Sequence, residues 1–252
     1  MCSDKNDQNF DAIANKFEKN IYGTSKGRLR HELLLYHLNR NIDFSTLNSA
    51  LDAGGGTGEM SLVLLDKGLD VTLSDISNET LEIARQKCQN SNTLTLVLSD
   101  ILGLAHKQYD LVVCHAVLEW LHDPYTNIQK LIAMTKVGGY FSLTFFNKDA
   151  QLMGNLLYGN FDYVRQGMKV KNQVRLSPDK PLQPKVVLDF INQQNVTVIS
   201  MAGIRCFHDY LKHPDMQQTH YEQLKEAEMT FGTKEPFMWL GKYFHILMRR
   251  VA

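Results

Sequence analysis

The sequence predicts an α/β fold, a doubly wound, seven-stranded, mostly parallel sheet of the kind that binds nucleotides. Three observations predict it. Short apolar runs alternate with stretches of helical periodicity between about residues 49 and 146. A glycine cluster, Leu51-Asp52-Ala53-Gly54-Gly55-Gly56-Thr57-Gly58, stands where the first run meets the first of these helices. An acid, Asp75, directly follows the second run, roughly twenty residues beyond the first glycine.

Residues 10–40 read as a helical cap ahead of the sheet. Phe10, Ile13, Ala14 and Phe17 have helical spacing, a glycine-containing break follows, and a second helix covers about 29–38. The first strand, about 49–53, leads through the glycines into a helix at 58–67. The second, 70–74, leads into a helix at 78–89 capped by Ser77 or Asn78. Strands at 94–98 and 110–114 come next, with helices near 116–121 and 124–135, the latter with Pro124 in its first turn. The fifth strand is 139–146, and the continuous apolar character of strands three to five suits a sheet covered on both faces. Beyond it the pattern is a short helix at 149–158, an irregular stretch at 159–184, a helix at 185–194, a strand at 196–201, a helix at 217–230 and a strand at 241–248. An irregular stretch of that length is expected to be functional. The 252 residues thus divide, within one unit, into a 10–40 cap, a 49–146 core, a 149–184 substrate-side insertion and a 185–250 remainder of the sheet.

Basic and acidic residues number 27 each, so the total charge makes no general case for a nucleic-acid partner, although a local patch suffices for one. An apolar content of 44% supports a core without disulfides or a structural metal. Cys2, Cys88, Cys114 and Cys206 are far apart and form no CxxC pair, so no metal is expected, and Cys114 reads as a buried small hydrophobe. No apolar run reaches transmembrane length and the N-terminus is polar, so the expected location is the cytoplasm, with no membrane partner.

Glycines let a chain turn tightly and bring its backbone against a ligand, and a helix N-terminus follows here at the same place. An acid after the second strand suits the two hydroxyls of a ribose, which assigns that role to Asp75. A dinucleotide site shares this plan but reads GxGxxG. The run DAGGGTGE instead resembles the E/DxGxGxG motif of class I S-adenosylmethionine-dependent methyltransferases, which have a Rossmann-like fold. That resemblance implies adenine contact from Ser99 or Asp100, after the third strand. His115 directly follows the fourth strand, where sites gather in such sheets, and Trp120 nearby reads as a core aromatic.

A narrower resemblance covers residues 9 to 248. It rests on Phe10-Asp11-x-Ile13-Ala14, Asn20-Ile21-Tyr22-Gly23-Thr24, Lys26-Gly27, Leu29-Arg30 and His115-Ala116-Val117-Leu118-Glu119-Trp120. It rests also on Gly159-Asn160-Phe161-Asp162-Tyr163-Val164, Leu176-Ser177-Pro178 and Gly203-x-Arg205-x-Phe207-His208-Asp209-Tyr210. Together these resemble the bacterial tRNA 5-carboxymethoxyuridine methyltransferase family. The resemblance implies methylation of that nucleoside's carboxylate at the tRNA wobble position. It implies S-adenosylmethionine as cofactor, held by Arg30, Gly54, Gly55, Asp75 and His115, with Ser99 or Asp100 the least decisive of the transfers.

A carboxylate nucleophile is already ionised near neutral pH, so no general base and no metal are expected, and no side chain is assigned a catalytic role. Candidate substrate-binding residues are Tyr22, Tyr163, Arg175, Arg205 and His208. Phe161 and Tyr210 are further stacking surfaces for a flipped-out uridine. Residues 165–185 hold six basic side chains, Arg165, Lys169, Lys171, Arg175, Lys180 and Lys185, against one acid, Asp179, which suits phosphate contact as well as it suits a solvated loop. Arg205 has the fork geometry for a carboxylate or phosphate. A methyltransferase of small metabolites, or a non-catalytic S-adenosylmethionine- or tRNA-binding protein, would share the glycine motif.

Overall fold

The structure, a computed structural model, describes residues 24–168 and 180–252. The helix expected at residues 10–20 lies outside them. The first described helix, α1 (Ser25–Asn41), starts where the side chain of Thr24 accepts the N–H of Gly27 at 3.2 Å. It then buries Leu29, Leu33, Leu34, His37 and Leu38 along one face.

The core elements are β1 (Ser49–Ala53), α2 (Glu59–Asp66), β2 (Asp70–Asp75), α3 (Asn78–Lys87), β3 (Leu94–Leu98), β4 (Tyr109–His115), α4 (Pro124–Met134) and β5 (Thr135–Phe146). Next come α5 (Lys148–Leu157), α6 (Phe161–Arg165), α7 (Pro184–Ile191) and β6 (Val196–Ile204). Last are α8 (Met216–Thr219), α9 (Tyr221–Phe231) and β7 (Tyr243–Arg250). The seven strands form one sheet in the order β3-β2-β1-β4-β5-β7-β6. The pairs from β3 through β5 are parallel, and β7 lies antiparallel between β5 and β6.

One face of the sheet packs Leu51, Val112, Phe141, Leu143, Phe145, Phe244 and Ile246 against α4 and α7. The other packs Ala50, Leu111, Val113, Leu247 and Ile204 against α1, α2 and α9. Coverage on both faces holds for β4 and β5 but not for β3, where Leu98 is 58% exposed. The reason is position: β3 is an edge strand of the sheet, and its apolar run has a neighbour on one side alone. Leu118–Trp120 is a short 3-10 turn rather than a helix over 116–121, and Trp120 is half-buried. Within the stretch expected to be irregular, Phe161–Arg165 is helical. Cys88, Cys114 and Cys206 are buried free thiols. Among the described residues no helix is long and apolar enough to cross a membrane, and no cluster of metal-ligating side chains occurs.

Strand order reverses between β1 and β4. The loops leaving their carboxyl ends diverge to opposite faces, and the crevice between them is where ligands bind in such sheets. α1 lies across the α2 side of this crevice and turns His37 onto the sheet. The His37 ring stands 5.9 Å from that of His245 on β7. Burial, with a smaller contribution from Arg40, pushes the His37 pKa down to about 4. In the unfolded chain it titrates near 6.5, so the unfolded state takes up the proton first as pH falls, and stability is lost from about 6.5 down to about 4. Between pH 7 and 5.5 the wild type should lose about 1 kcal/mol more stability than His37→Leu, measured by urea denaturation at both pH values. Equal losses would show that His37 titrates normally in the folded protein.

Candidate cofactor and substrate site

β1 delivers Asp52 into the core, 3% exposed, where its carboxylate accepts the Ser61 hydroxyl at 2.7 Å. Burial pushes its pKa up to about 6 against the opposing hydrogen bonds from Ser61. This contact ties the end of β1 to the first turn of α2, with the glycine turn between them. The N–H groups of Gly54 and Gly55 both donate to the Ser74 carbonyl, at 2.8 and 3.1 Å. Gly54 has φ +68°, and a Cβ there would lie 2.6 Å from Val117. A Cβ on Gly55 would lie 2.6 Å from the Asp52 carboxyl carbon. Neither position has space for a side chain. Asp75, at the end of β2, accepts the Gly56 N–H on Oδ2 (3.0 Å) and the Ser77 N–H on Oδ1 (2.9 Å). Burial raises its pKa, and these backbone bonds oppose the shift. Thr80 and the Ile76 N–H act on the same carboxylate in the same sense.

Across the crevice β4 ends in His115. Ala116, the next residue, has φ +59°, a conformation L-residues rarely adopt, and is held by its N–H on both the backbone and the side-chain oxygen of Thr144, each at 3.0 Å. His115 Nε2 lies 2.7 Å from Ser142 Oγ, and Ser142 Oγ lies 2.9 Å from His245 Nε2, so one serine bridges a half-buried and a buried imidazole. Burial pushes His115 down to about 3, Arg30 and His31 adding to the shift, and His245 is likewise held well below its usual value. Both rings are therefore neutral near pH 7. Nδ1 of His115 has no hydrogen-bond partner among the described residues. Glu119 in the following turn is fully buried, both its carboxyl oxygens lack partners among the described residues, and burial raises its pKa to about 7.

A recess between α1 and the glycine turn is lined by Arg30, His31, Leu34, Asp52, Gly54, Gly55, Met60 and His115. The structure thus brings together Arg30, Gly54, Gly55 and His115, with Asp75 behind the turn through Gly56. Ser99 and Asp100 lie outside the recess, on the β3 side. Ser99 N–H donates to the Asp75 carbonyl at 3.0 Å, and Asp100 caps its own turn by accepting the Gly103 N–H at 2.6 Å. The fit to S-adenosylmethionine rests on the donor set: a guanidinium for a carboxylate, an acid at the end of β2 for a diol, and a turn that excludes side chains.

Of the substrate-side candidates, Tyr22 and Arg175 lie outside the described residues, as do Lys169 and Lys171. Tyr163 is half-buried on α6, and Phe161 beside it is 64% exposed. Arg205 lies in the loop after β6, 6% exposed and in a left-handed conformation (φ +63°). Its Nε and Nη2 donate to Asp209 Oδ2 and Oδ1 at 2.7 and 2.5 Å. One edge of the fork, Nε with Nη2, is therefore occupied by an acid four residues on. Burial disfavours the Asp209 carboxylate, but His208 and Arg205 together hold it below the usual carboxylate range. His208 is itself buried, 3.4 Å from Ser25 Oγ and 3.4 Å from Asp209. Tyr210, read as a stacking surface, donates its hydroxyl to the carbonyls of Ala150 and Leu240, each at 3.1 Å. Arg165 pairs with Asp162, and Lys180 donates to the Leu121 carbonyl.

Sequence reading missed Glu228, whose carboxylate accepts the N–H groups of Cys206 (2.6 Å), Phe207 (2.9 Å) and His208 (3.0 Å). It missed Ser142 and His245, because their link to His115 is made by strand pairing. His31 and Leu34 were readable, since Leu34 follows Arg30 by one helical turn.

The recess at the strand switch, with its glycine turn and acid, defines a methyltransferase of the doubly wound α/β class, and residues 51–143 match the family model described as a methyltransferase domain. The magnesium protoporphyrin IX methyltransferase of Synechocystis PCC 6803, solved with bound S-adenosylhomocysteine, superposes with a TM-score of 0.64 at 16% identity over 96% of each chain, a likeness of fold. The malonyl-[acyl-carrier protein] O-methyltransferase of Acetivibrio thermocellus is 26% identical over 69% of this chain and 56% of its own. The tRNA 5-carboxymethoxyuridine methyltransferase of Escherichia coli (strain K12) is 37% identical over 97% of both chains. The chain belongs to the tRNA 5-carboxymethoxyuridine methyltransferase family.

Glu228 is the anchor on which the Arg205–Tyr210 loop depends. Glu228→Ala should lower unfolding stability by about 3 kcal/mol or more, since it strands three backbone N–H groups, and Glu228→Gln by less. Chemical denaturation of the two variants checks this, and a loss under about 1 kcal/mol for the alanine would remove the anchoring role.

Proposed function

We propose that the chain methylates the carboxylate of 5-carboxymethoxyuridine at the tRNA wobble position, giving the methyl ester, with S-adenosylmethionine as cofactor. The observation that carries this reading is the 37% identity that runs through 97% of both this chain and its Escherichia coli relative, far beyond the methyltransferase domain alone. S-adenosylmethionine supplies an electrophilic methyl group on a sulfonium. Arg30 would hold the carboxylate of its methionine part, Asp75 the ribose hydroxyls, the Gly54 and Gly55 backbone its close-lying centre, and Ser99 or Asp100 the adenine edge. His115 would line the same recess as a neutral hydrogen-bonding group.

The site's electrostatics suit a nucleophile that brings its own charge. A carboxylate needs no proton removed near neutral pH. His115, with a pKa of about 3 and Nε2 engaged by Ser142, is not poised to take one. What the chain supplies is alignment and a dry, fixed setting. On the substrate side, Tyr22, Tyr163 and Arg175 remain the proposed contacts to the nucleoside and its neighbours. Arg205 and His208 shape the rim through Asp209 rather than offering an unengaged charge. We take the whole chain as one functional unit, with 149–184 as its substrate-side insertion.

The reaction is tested by incubating the protein with S-adenosylmethionine and tRNA from cells lacking this methylation, then analysing nucleosides by mass spectrometry. Cofactor-dependent conversion of 5-carboxymethoxyuridine to a species heavier by one methylene is expected; none, with a folded protein that binds the cofactor, would sink the assignment. For the cofactor side, Asp75→Asn should weaken S-adenosylmethionine binding by about tenfold to a hundredfold in calorimetry, with its melting transition kept cooperative. Unchanged affinity would take Asp75 out of the ribose role.

A further inference from the structure

A carboxylate drawn out of water must be paired, or desolvation excludes it from the site. Arg205 is buried and its Nε–Nη2 edge is paired with Asp209, which turns attention to a second cation of the same rim. Lys242 stands one residue before β7, at the edge where β5 ends. Its backbone is held from two sides: its N–H donates to the Arg205 carbonyl at 3.2 Å, and its carbonyl accepts the Asn147 N–H at 3.1 Å. The side-chain amide of Asn147 donates in turn to the carbonyls of Trp239 and Gly241, at 2.8 and 3.0 Å. The root of the Lys242 side chain is therefore fixed.

The ammonium lies 5.3 Å from the centroid of the Phe146 ring, and 4.0 Å from where a side chain on Gly154 of α5 would begin. Among the described residues it has neither a hydrogen-bond acceptor nor a carboxylate at ion-pair distance. The nearby acid, Asp209, is already committed to Arg205 and His208. Burial lowers the Lys242 pKa; Asp209 opposes that shift, while Arg205 and Lys26 add to it. An aromatic face compensates such a charge in part, and an anion completes it. The path to the cofactor recess is continuous. Phe146 packs edge-on against Tyr243 at 5.7 Å, and the Tyr243 ring carries the Arg30 guanidinium at 5.2 Å. Arg30 lines the recess with Gly54, Gly55 and His115.

We propose that Lys242 binds the carboxylate of the substrate nucleoside beside the recess and so selects a carboxylate-bearing uridine over an unmodified one. This rests on the reaction assigned above. A single ammonium suits the task better than a guanidinium, because it engages one oxygen and leaves the other its lone pairs, whereas a bidentate fork engages both. The methyl ester carries no charge, so the same contact weakens once the product has formed.

The test is binding of anticodon stem-loop RNAs in the presence of S-adenosylhomocysteine, read by fluorescence anisotropy. The RNAs carry 5-carboxymethoxyuridine or plain uridine at the same position. Wild-type protein should prefer the carboxylated RNA by about tenfold or more. Lys242→Met should bind the two RNAs equally, with its affinities for the plain RNA and for S-adenosylhomocysteine unchanged, and Lys242→Arg should keep part of the preference. Should Lys242→Met fail to melt cooperatively, Lys242→Gln carries the same comparison. A Met or Gln variant with the wild-type preference, or a wild type with none, overturns the proposal. Since binding alone is read, absent methyl transfer by the wild type would undo the reaction assignment and leave this comparison to decide the role of Lys242.

Discussion

No side chain fits at Gly54 or Gly55, in the turn that leaves β1. Val117 closes on Gly54 and the Asp52 carboxyl on Gly55, so the backbone itself forms the wall of the crevice at the point where strand order reverses. The site is laid out around this steric constraint. It keeps the Gly54 and Gly55 N–H groups on the Ser74 carbonyl and leaves the Gly56 N–H to the Asp75 carboxylate. α1 covers the crevice from the α2 side and brings Arg30 and His31 to the same recess. A larger residue at Gly54 would meet Val117 beyond β4, and one at Gly55 would meet Asp52 and Leu73, before any ligand contact was lost.

Charge in this molecule is managed locally. The chain is neutral in total, and in the loop after β6 its buried charges are matched within the loop and by α9. Asp209 satisfies Arg205, and Glu228 satisfies three backbone donors of the same loop. These arrangements convert what looks like a basic, substrate-gripping segment into a rigid rim. A rigid rim serves a reaction that needs alignment more than proton transfer, because small displacements of the reacting atoms are costly.

The imidazoles of His115 and His245 illustrate the same economy in uncharged form. Ser142 can donate to one ring and accept from the other, so the chain fixes orientations without burying a charge. The network spans β4, β5 and β7, so it couples the floor of the recess to the antiparallel strand that carries Lys242 and Tyr243 at its start.

Much of this was legible in sequence because it is local. Alternating apolar runs and helical spacing are short-range patterns, and they placed β1 to β4 close to their observed limits, while β5 begins at Thr135, four residues before the expected start. The glycine turn and Asp75 were readable because backbone strain and the acid's place after a strand are properties of a few adjacent residues. Arg205 shows where such reading stops: the fork and the acid four residues on are both visible in sequence, but a turn with φ +63° and the grip of Glu228 decide that they face each other. By itself the sequence determined the fold class, the cofactor turn and the family. The tertiary structure alone decided which charges are matched. Pairing β7 between β5 and β6 sets His245 beside Ser142 and places Lys242 over Phe146, and burial then fixes the protonation of groups about a hundred residues apart in the chain.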